Sequence, residues 1–356
     1  MIFPAPRRNI WSPSLAPDRR TFGLQDRWEP SSIGTWGSGS DNVWVGGNRD
    51  VLHWDGASWS SLWNADEYPS GIFGIWGAKN DVWFVGGRGG VSPRRLNETV
   101  RLSPFDDVGP ISSVWESSPD DVWFSGDRGL FHWDGVRVAL FDERQHFFTF
   151  WGARPDDVWA AGQCGHLAHW NGSTWEDTEV SQSVVGLAGT SSMDVWSVGC
   201  QEPGPERFEA DVLHWDGTHW ERVPLSEDLF RTCPRRIWGS APDDYWMAGW
   251  LVLAHWDGNS WSRYRVRGSD VVDVWGSARD DVWTGTIEYT RYDQIAHLWH
   301  WDGLYRWNGS QLKPVGRAIF RQIRGAQNEV WGVGYKGVQK WTPSALITQV
   351  SFRDRH

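Results

Sequence analysis

The sequence predicts an all-β protein, a β-propeller of eight four-stranded blades, with seven blades as the alternative. A phrase of the form Trp-Gly-x(3–4)-Asp-Val-Trp recurs eight times, at intervals of about 36–50 residues. Each copy holds short apolar runs separated by Gly, Pro, Asp and Asn, which are turn residues. No window shows helical periodicity. A repeat of this length built from short strands is typical of a propeller or a solenoid.

Most of the 31 tryptophans occupy four positions of the repeat. The second tryptophan of the phrase is Trp44, Trp83, Trp123, Trp159, Trp196, Trp246, Trp283 and Trp331. The first is Trp36, Trp76, Trp115, Trp151, Trp238 and Trp275, with Ala188 and Arg324 in its place in copies five and eight. A third ends the apolar run before Asp-Gly or Asn-Gly, and a fourth follows that turn. The tryptophans therefore indicate architecture before they indicate function.

Copy four shows the expected order of elements. Strands are predicted at 147–151, at 158–161, at 166–170 and from Trp175 onward. The dipeptide Asn171-Gly172 predicts a tight hairpin turn with positive φ at both central residues. Four such antiparallel strands describe one propeller blade. Large indole rings fill the wedge between blades, because each can bury roughly 150–250 Å².

The array predicts one propeller domain at 28–351, after an N-terminal extension at 1–27 and before a tail at 352–356. Closure is expected near the termini. Two segments compete for the last strand: the one around Trp28, which resembles the start of a fourth strand, and the one at 347–351. The residues alone leave both open.

Bulk composition excludes several classes of protein. The net charge of −11 argues against nucleic acid and anionic membranes as partners. The sequence has no run of 18 apolar residues, so membrane insertion is not predicted. Without an apolar leader a cytoplasmic location is expected, or an extracellular or periplasmic one if a leader was removed. Three cysteines allow buried thiols, or one disulfide with one cysteine left over.

The phrases DDVWFSGDRGLFHWDG and DVLHWDGTHW resemble an abundant class of tryptophan-rich bacterial propeller repeats. That class is broadly similar to the Asp-box (sialidase-like) propellers, in which Ser-x-Asp-x-Gly-x-Thr-Trp forms the turn between the third and fourth strands. The corresponding turn here, 171–175, is one residue shorter. The resemblance implies the propeller fold and does not extend to sialidase activity. No cofactor and no metal are predicted, and the histidines that recur before the third tryptophan are expected to be structural.

Function is expected on the face where the loops vary, since variable loops on a rigid scaffold usually carry binding. These are the loops between second and third strands and the connections between blades. Three of them, at 88–95, 201–210 and 286–303, are enlarged or irregular.

The strands that line the channel differ around the ring. Two positions before the first tryptophan of the phrase, five copies have small or mildly polar residues: Gly34, Gly74, Ser113, Thr149 and Gly186. The last three have Arg236, Asp273 and Gln322, with Arg235 and Arg321 one position earlier. This asymmetry predicts one ligand site at the channel mouth. The alternative is an ion pair between Arg236 and Asp273 with no ligand.

The insertion at 286–303 predicts a ligand wall, or else a β-hairpin that protects an edge or packs on a neighbour. The candidate wall residues are Tyr289, Arg291, Tyr292, Asp293, Trp299 and Trp301, and Trp250 of copy six is a further candidate ligand residue. A binding propeller for a carbohydrate or for a protein or peptide partner is the leading hypothesis. The alternative is a hydrolase or lyase in the same channel mouth, with Asp273, Arg236, Glu288 and Asp293 as catalytic candidates.

Overall fold

The computed structural model describes the protein at residues 34–47, 51–63, 72–78, 81–87, 91–95, 98–99, 109–143, 147–162, 165–180, 184–204, 207–268, 270–289, 299–316, 322–326, 329–334, 337–342 and 345–350. Across these ranges the regular structure is β-strand apart from one short helix, α1 at Glu227–Phe230. The all-β class is confirmed.

The strands follow the repeat in chain order. Copies one to four contain β1 Gly34–Gly39, β2 Asn42–Gly46, β3 Val51–Trp54, β4 Trp59–Trp63, β5 Ile72–Ala78, β6 Asp81–Gly86, β7 Val91–Arg95, β8 Glu98–Thr99, β9 Ile111–Ser118, β10 Asp121–Gly126, β11 Gly129–Trp133, β12 Val138–Asp142, β13 Phe147–Arg154, β14 Asp157–Gly162, β15 His166–Trp170 and β16 Trp175–Glu179. Copies five to eight contain β17 Val184–Ser191, β18 Asp194–Gly204, β19 Arg207–Trp215, β20 Trp220–Arg222, β21 Cys233–Ala241, β22 Asp244–Trp250, β23 Val252–Trp256, β24 Trp261–Arg263, β25 Asp270–Ala278, β26 Asp281–Tyr289, β27 Trp299–Trp307, β28 Leu312–Gly316, β29 Gln322–Ala326, β30 Glu329–Gly334, β31 Gly337–Thr342 and β32 Ala345–Val350.

Within the described residues these strands form six four-stranded antiparallel sheets and one eight-stranded sheet. The eight-stranded sheet unites copies six and seven, because the end of β22 at Trp250 pairs with Asp270 at the start of β25. The propeller class is confirmed, but the predicted number of four-stranded blades, eight or seven, is not.

The first strands of the copies, β1, β5, β9, β13, β17, β21, β25 and β29, each contact the next, and β29 contacts β1. We term these strands the inner ring. The apolar core lies between neighbouring sheets, and one cluster joins Val43 and Leu52 of copy one to Trp331 and Val338 of copy eight. Of the two segments considered for the last strand, the C-terminal one pairs as β32 with β31. Trp28 lies outside the described residues.

The turn predicted at Asn171-Gly172 is wrong in type. Gly172 has φ +91°, but among the described residues Leu251 is the one non-glycine with positive φ. The connection is a four-residue loop in which Asn171 Oδ1 accepts hydrogen bonds from the backbone N–H groups of Ser173 and Thr174, both at 3.0 Å. The side chain of Asn171 organises the turn, so only the glycine needs a left-handed conformation.

The recurring histidines fasten the third strand to the second. His169 Nε2 lies 2.7 Å from Asp157 Oδ1, and its ring stacks on Trp159 with centroids 4.3 Å apart. The same contacts with an aspartate and a tryptophan are made in their own copies by His132, His214 and His255. In copy one His53 stacks on Trp44 and contacts Asn42 Oδ1 in place of an aspartate. In copy seven Arg306 Nε replaces the histidine, 2.7 Å from Asp281 Oδ1. These contacts support the predicted structural role.

The Trp-Gly pair of the repeat is explained by contacts between copies. The Trp151 ring lies so close to Gly189 that a Cβ atom there would not fit. The same arrangement joins Trp36 to Gly77, Trp115 to Gly152, Trp238 to Gly276 and Trp275 to Gly325. Copy five has Ala188 at the tryptophan position, and the buried Tyr245 packs against Gly239 instead. A residue of copy six therefore fills the volume that copy five leaves empty.

This compensation predicts coupling between Ala188 and Tyr245. Tyr245→Val is expected to lower the free energy of unfolding by about 3 kcal/mol, because it leaves a cavity and removes the hydrogen bond from Tyr245 Oη to Asp194 Oδ2, which is 2.6 Å long. Adding Ala188→Trp to that variant is expected to recover part of the loss, whereas Ala188→Trp alone overpacks the site. Urea unfolding of the four proteins measures the coupling. Purely additive changes would contradict the packing account.

Candidate functional site

One buried carboxylate organises the polar side of the inner ring. Asp273 on β25 is 2% exposed. Its Oδ2 accepts hydrogen bonds from the Ile323 backbone N–H at 2.8 Å and from Arg324 Nη1 at 2.9 Å. Its Oδ1 lies 3.9 Å from Arg236 Nε. Two guanidinium groups, from β21 and β29, therefore share a single carboxylate on the strand between them.

The two guanidiniums remain accessible while Asp273 does not. The Arg236 side chain is 47% exposed and that of Arg324 is 38% exposed. Desolvation by the surrounding strands lowers the pKa of Arg236; Asp273 opposes this shift, and the nearby charge of Arg324 adds to it. An arginine with a lowered pKa still carries its charge at neutral pH, because its ordinary pKa is so high.

The other predicted polar residues hold neighbouring strands together. Arg235 Nη1 lies 3.3 Å from Asp270 Oδ2, and both side chains are largely buried. Gln322 Oε1 accepts a hydrogen bond from the Thr35 backbone N–H at 2.8 Å. The side chain of Gln322 thus accepts a backbone hydrogen bond from β1, as the side chain of Asp273 accepts one from β29. These residues stabilise the ring whether or not a ligand binds.

The ion pair between Arg236 and Asp273, which was the alternative to a ligand site, is present. Arg324 lies closer to the Asp273 carboxylate than Arg236 does. Arg324 makes the hydrogen bond to Asp273, and Arg324 was not among the predicted site residues. The sequence contained evidence for a role of Arg324, because this arginine occupies the position at which six other copies have the tryptophan of Trp-Gly. A cation at an otherwise apolar structural position indicates a local electrostatic partner.

A disulfide anchors the first of two long hairpins. Strands β18 and β19 extend beyond the start of β17, and Cys200 of that extension is bonded to Cys233, the first residue of β21. Both cysteines are buried, and Phe208 and Trp250 pack around them. Of the two predicted states of the cysteines, buried thiols or one disulfide, the disulfide is present. Cys164 lies outside the described residues. Trp250, a predicted ligand residue, contributes to this cluster.

The insertion of copy seven extends a second hairpin. Strands β26 and β27 pair Ile287 with Trp301, Glu288 with His300 and Tyr289 with Trp299. The sequence left two interpretations of the insertion at 286–303, a ligand wall or a β-hairpin, and these pairs form a β-hairpin. The side chains of Glu288, Tyr289, Trp299 and Trp301, and the whole of Arg291, Tyr292, Asp293 and Arg321, lie outside what the structure describes.

Both hairpins project from the edge of the propeller at which the first strands begin. Val184 at the start of β17 pairs with Gly199, and Asp270 at the start of β25 pairs with Ile287. The extensions lie beyond these pairs, on either side of β21. Arg235 and Arg236 follow directly after Cys233 and Pro234 at this edge. We term this region, with Asp273 and Arg324, the ring mouth.

In the part of the chain that the structure describes, no cluster of three or more His, Cys, Asp or Glu side chains could hold a metal ion. Over the same residues, no helix has the length and apolar character needed to cross a membrane.

Comparison with solved structures identifies the class of fold as a β-propeller. The chain is similar to the computationally designed Ika8 protein (TM-score 0.66, 14% identity, 88% of this chain and 96% of that one). It is also similar to YCF48 bound to a D1 peptide (TM-score 0.54, 13% identity, 72% and 90%). A third likeness is to the WD40 β-propeller domain of Doa1 (TM-score 0.53, 11% identity, 72% and 90%). Protein-family models and curated proteins gave no match.

Proposed function

We propose that this protein is a binding propeller with one asymmetric site, at the ring mouth, for a peptide or protein segment. The observation that carries the proposal is that the two long hairpins flank β21, the strand that bears Arg236. In the first five copies the equivalent positions hold small or mildly polar residues: Gly34, Gly74, Ser113, Thr149 and Gly186. In this proposal the eight-stranded sheet counts as two blades, so that eight blades surround the ring.

A peptide suits the described side chains better than a sugar does. The ring mouth presents two exposed guanidinium groups, which pair with the carboxylates of polypeptides. Among the similar folds, YCF48 is seen bound to a peptide. At 13% identity this is support by analogy of fold.

The surroundings of Asp273 support the catalytic hypothesis less well than the binding hypothesis. Its carboxylate is buried, accepts two hydrogen bonds and faces two cations. A general acid or base must reach the reacting group of a substrate, whereas the burial and hydrogen bonds of Asp273 commit its carboxylate to the neighbouring strands. We therefore assign Asp273 a structural role in holding the arginines.

The disulfide provides evidence about the cellular compartment of the protein. Cysteine pairs persist mainly in oxidising compartments. The bond between Cys200 and Cys233 therefore favours the extracellular or periplasmic alternative over the cytoplasm.

Selection of peptides from a phage-displayed library, followed by hydrogen–deuterium exchange of the purified complex, tests the proposed function. Slower exchange is expected in β21 and in the β18–β19 hairpin. The opposite face supplies the control, because its four-residue turns, such as 171–174, should exchange equally with and without peptide. Protection confined to that face or to outer strands, or failure to select any peptide, would overturn the proposal.

A further inference from the structure

We infer that the ring mouth holds its ligand by a carboxylate, bound between Arg236 and Arg324. This inference rests on the proposed function and specifies the chemistry of its anchor. The sequence pattern gave no basis for choosing a ligand group at this site. The choice follows from the charges, exposures and hydrogen bonds of the described residues.

The first step is the local balance of charge. Arg235 and Asp270 pair with each other, side by side and largely buried. Arg236 and Arg324 have Asp273 alone between them. These five side chains carry three positive and two negative charges, which leaves one positive charge in excess among them, in a chain whose net charge is −11. Excess charge opposite in sign to the whole protein is a local feature that an anionic group of a partner can neutralise.

The second step is which groups a partner can reach. Asp273 is almost fully buried, whereas 47% of the Arg236 side chain and 38% of the Arg324 side chain are exposed. In the described structure the hydrogen bonds of both guanidiniums come from Nη1: that of Arg236 to the Arg235 carbonyl, and those of Arg324 to Asp273 and the Ile323 carbonyl. A guanidinium has five N–H donors. Donors remain on both arginines for a second acceptor on their exposed side.

The third step is the choice among anions. A carboxylate accepts two parallel N–H bonds from a guanidinium and carries one charge, which equals the local excess. A phosphate monoester carries about −1.5 to −2 charges at neutral pH. It would leave the site with net negative charge beside the buried Asp273. The balance therefore favours a carboxylate, either an acidic side chain or a chain terminus.

Fluorescence anisotropy with four labelled peptides tests the inference at about 0.15 M salt, where the long-range field of the acidic protein is screened beyond about 8 Å. The probes are hexaglutamate amide, hexaglycine with a free terminal carboxylate, hexaglutamine amide and a phosphoserine peptide amide. We expect binding of the first, the second or both, and their difference identifies the source of the carboxylate. Equal binding of hexaglutamine, or tighter binding of the phosphopeptide, would overturn the inference.

Variants at the ring mouth supply the second arm of the test. Arg236→Met and Arg324→Met are each expected to weaken binding of the carboxylate probe at least tenfold. The matched control is Arg137→Met, in a turn on the opposite face with a side chain 78% exposed, which should leave affinity unchanged. If Arg324→Met fails to fold, Arg236→Met carries the test, since Arg236 has no hydrogen bond to Asp273.

The outcomes separate the inference from the proposed function. If library peptides protect β21 but lack acidic groups and bind Arg236→Met as tightly as the parent protein, the carboxylate anchor is wrong and the binding function stands. If no peptide protects the ring mouth, both are wrong. Loss of binding in Arg236→Met and Arg324→Met, with binding kept in Arg137→Met, supports both.

Discussion

Replacing Trp123 with alanine is expected to lower the free energy of unfolding by about 3–5 kcal/mol, the range for a fully buried large aromatic residue. Trp123 has no exposed surface. It stacks on His132 with centroids 4.2 Å apart, and its ring meets Trp170 at 5.0 Å and Trp175 at 5.1 Å. The substitution opens a cavity between copies three and four that no neighbouring backbone can fill. Equilibrium unfolding in urea measures the change.

Trp76 supplies the matched control for this experiment. It belongs to the same repeat but is 39% exposed. Copy three has Glu116 where most copies have the glycine that receives the preceding tryptophan ring. Trp76→Ala is therefore expected to cost less than half as much as Trp123→Ala. Equal losses for the two variants would show that burial between copies does not set the stability of this propeller.

Removing the bond between Cys200 and Cys233 is expected to have the second large effect. The cysteines are 33 residues apart, and the chain-entropy argument assigns a loop of this size about 3–4 kcal/mol. The double variant Cys200→Ala/Cys233→Ala should therefore melt several degrees lower than the parent protein. Exchange should rise first in the β18–β19 hairpin and at the start of β21, since the bond joins these two elements. Calorimetry and hydrogen exchange check the two effects.

Three controls accompany this prediction. Mass spectrometry of a non-reduced digest should show the Cys200–Cys233 cross-linked peptide. Reductant should bring the parent protein to the melting temperature of the double variant and leave that variant unchanged. Cys164→Ser should keep the cross-link and the melting temperature. A parent protein whose melting temperature is the same after complete reduction would contradict a stabilising role for the bond.

Much of the local structure could be predicted from the repeat. In copy four the third strand and the start of the fourth coincide with the prediction, because the Trp-turn-Trp phrase marks both ends. The first two strands are longer than predicted, since their ladder continues to Arg154 and Asp157 beside the turn. The turn type was wrong because the hydrogen-bonding side chain of Asn171 took the place of a second positive φ.

The candidate site was predictable only in outline. The large polar residues of the last three copies indicated one side of the ring, and the structure places Arg236, Asp273 and Gln322 on successive inner strands. Their partners could not be deduced. Asp273 bonds to Arg324 and to the Ile323 backbone, and Gln322 bonds across to Thr35.

The amino-acid sequence by itself determined the propeller class, because strand alternation, turn chemistry and the tryptophan period are properties of short segments. Only the tertiary structure decided how the copies meet: the shared sheet at Trp250 and Asp270, the bond from Cys200 to Cys233, and the two arginines around Asp273. Each of these joins residues from different copies. Such contacts depend on how neighbouring sheets are placed around the ring, and that placement is set by the packing of all the copies together.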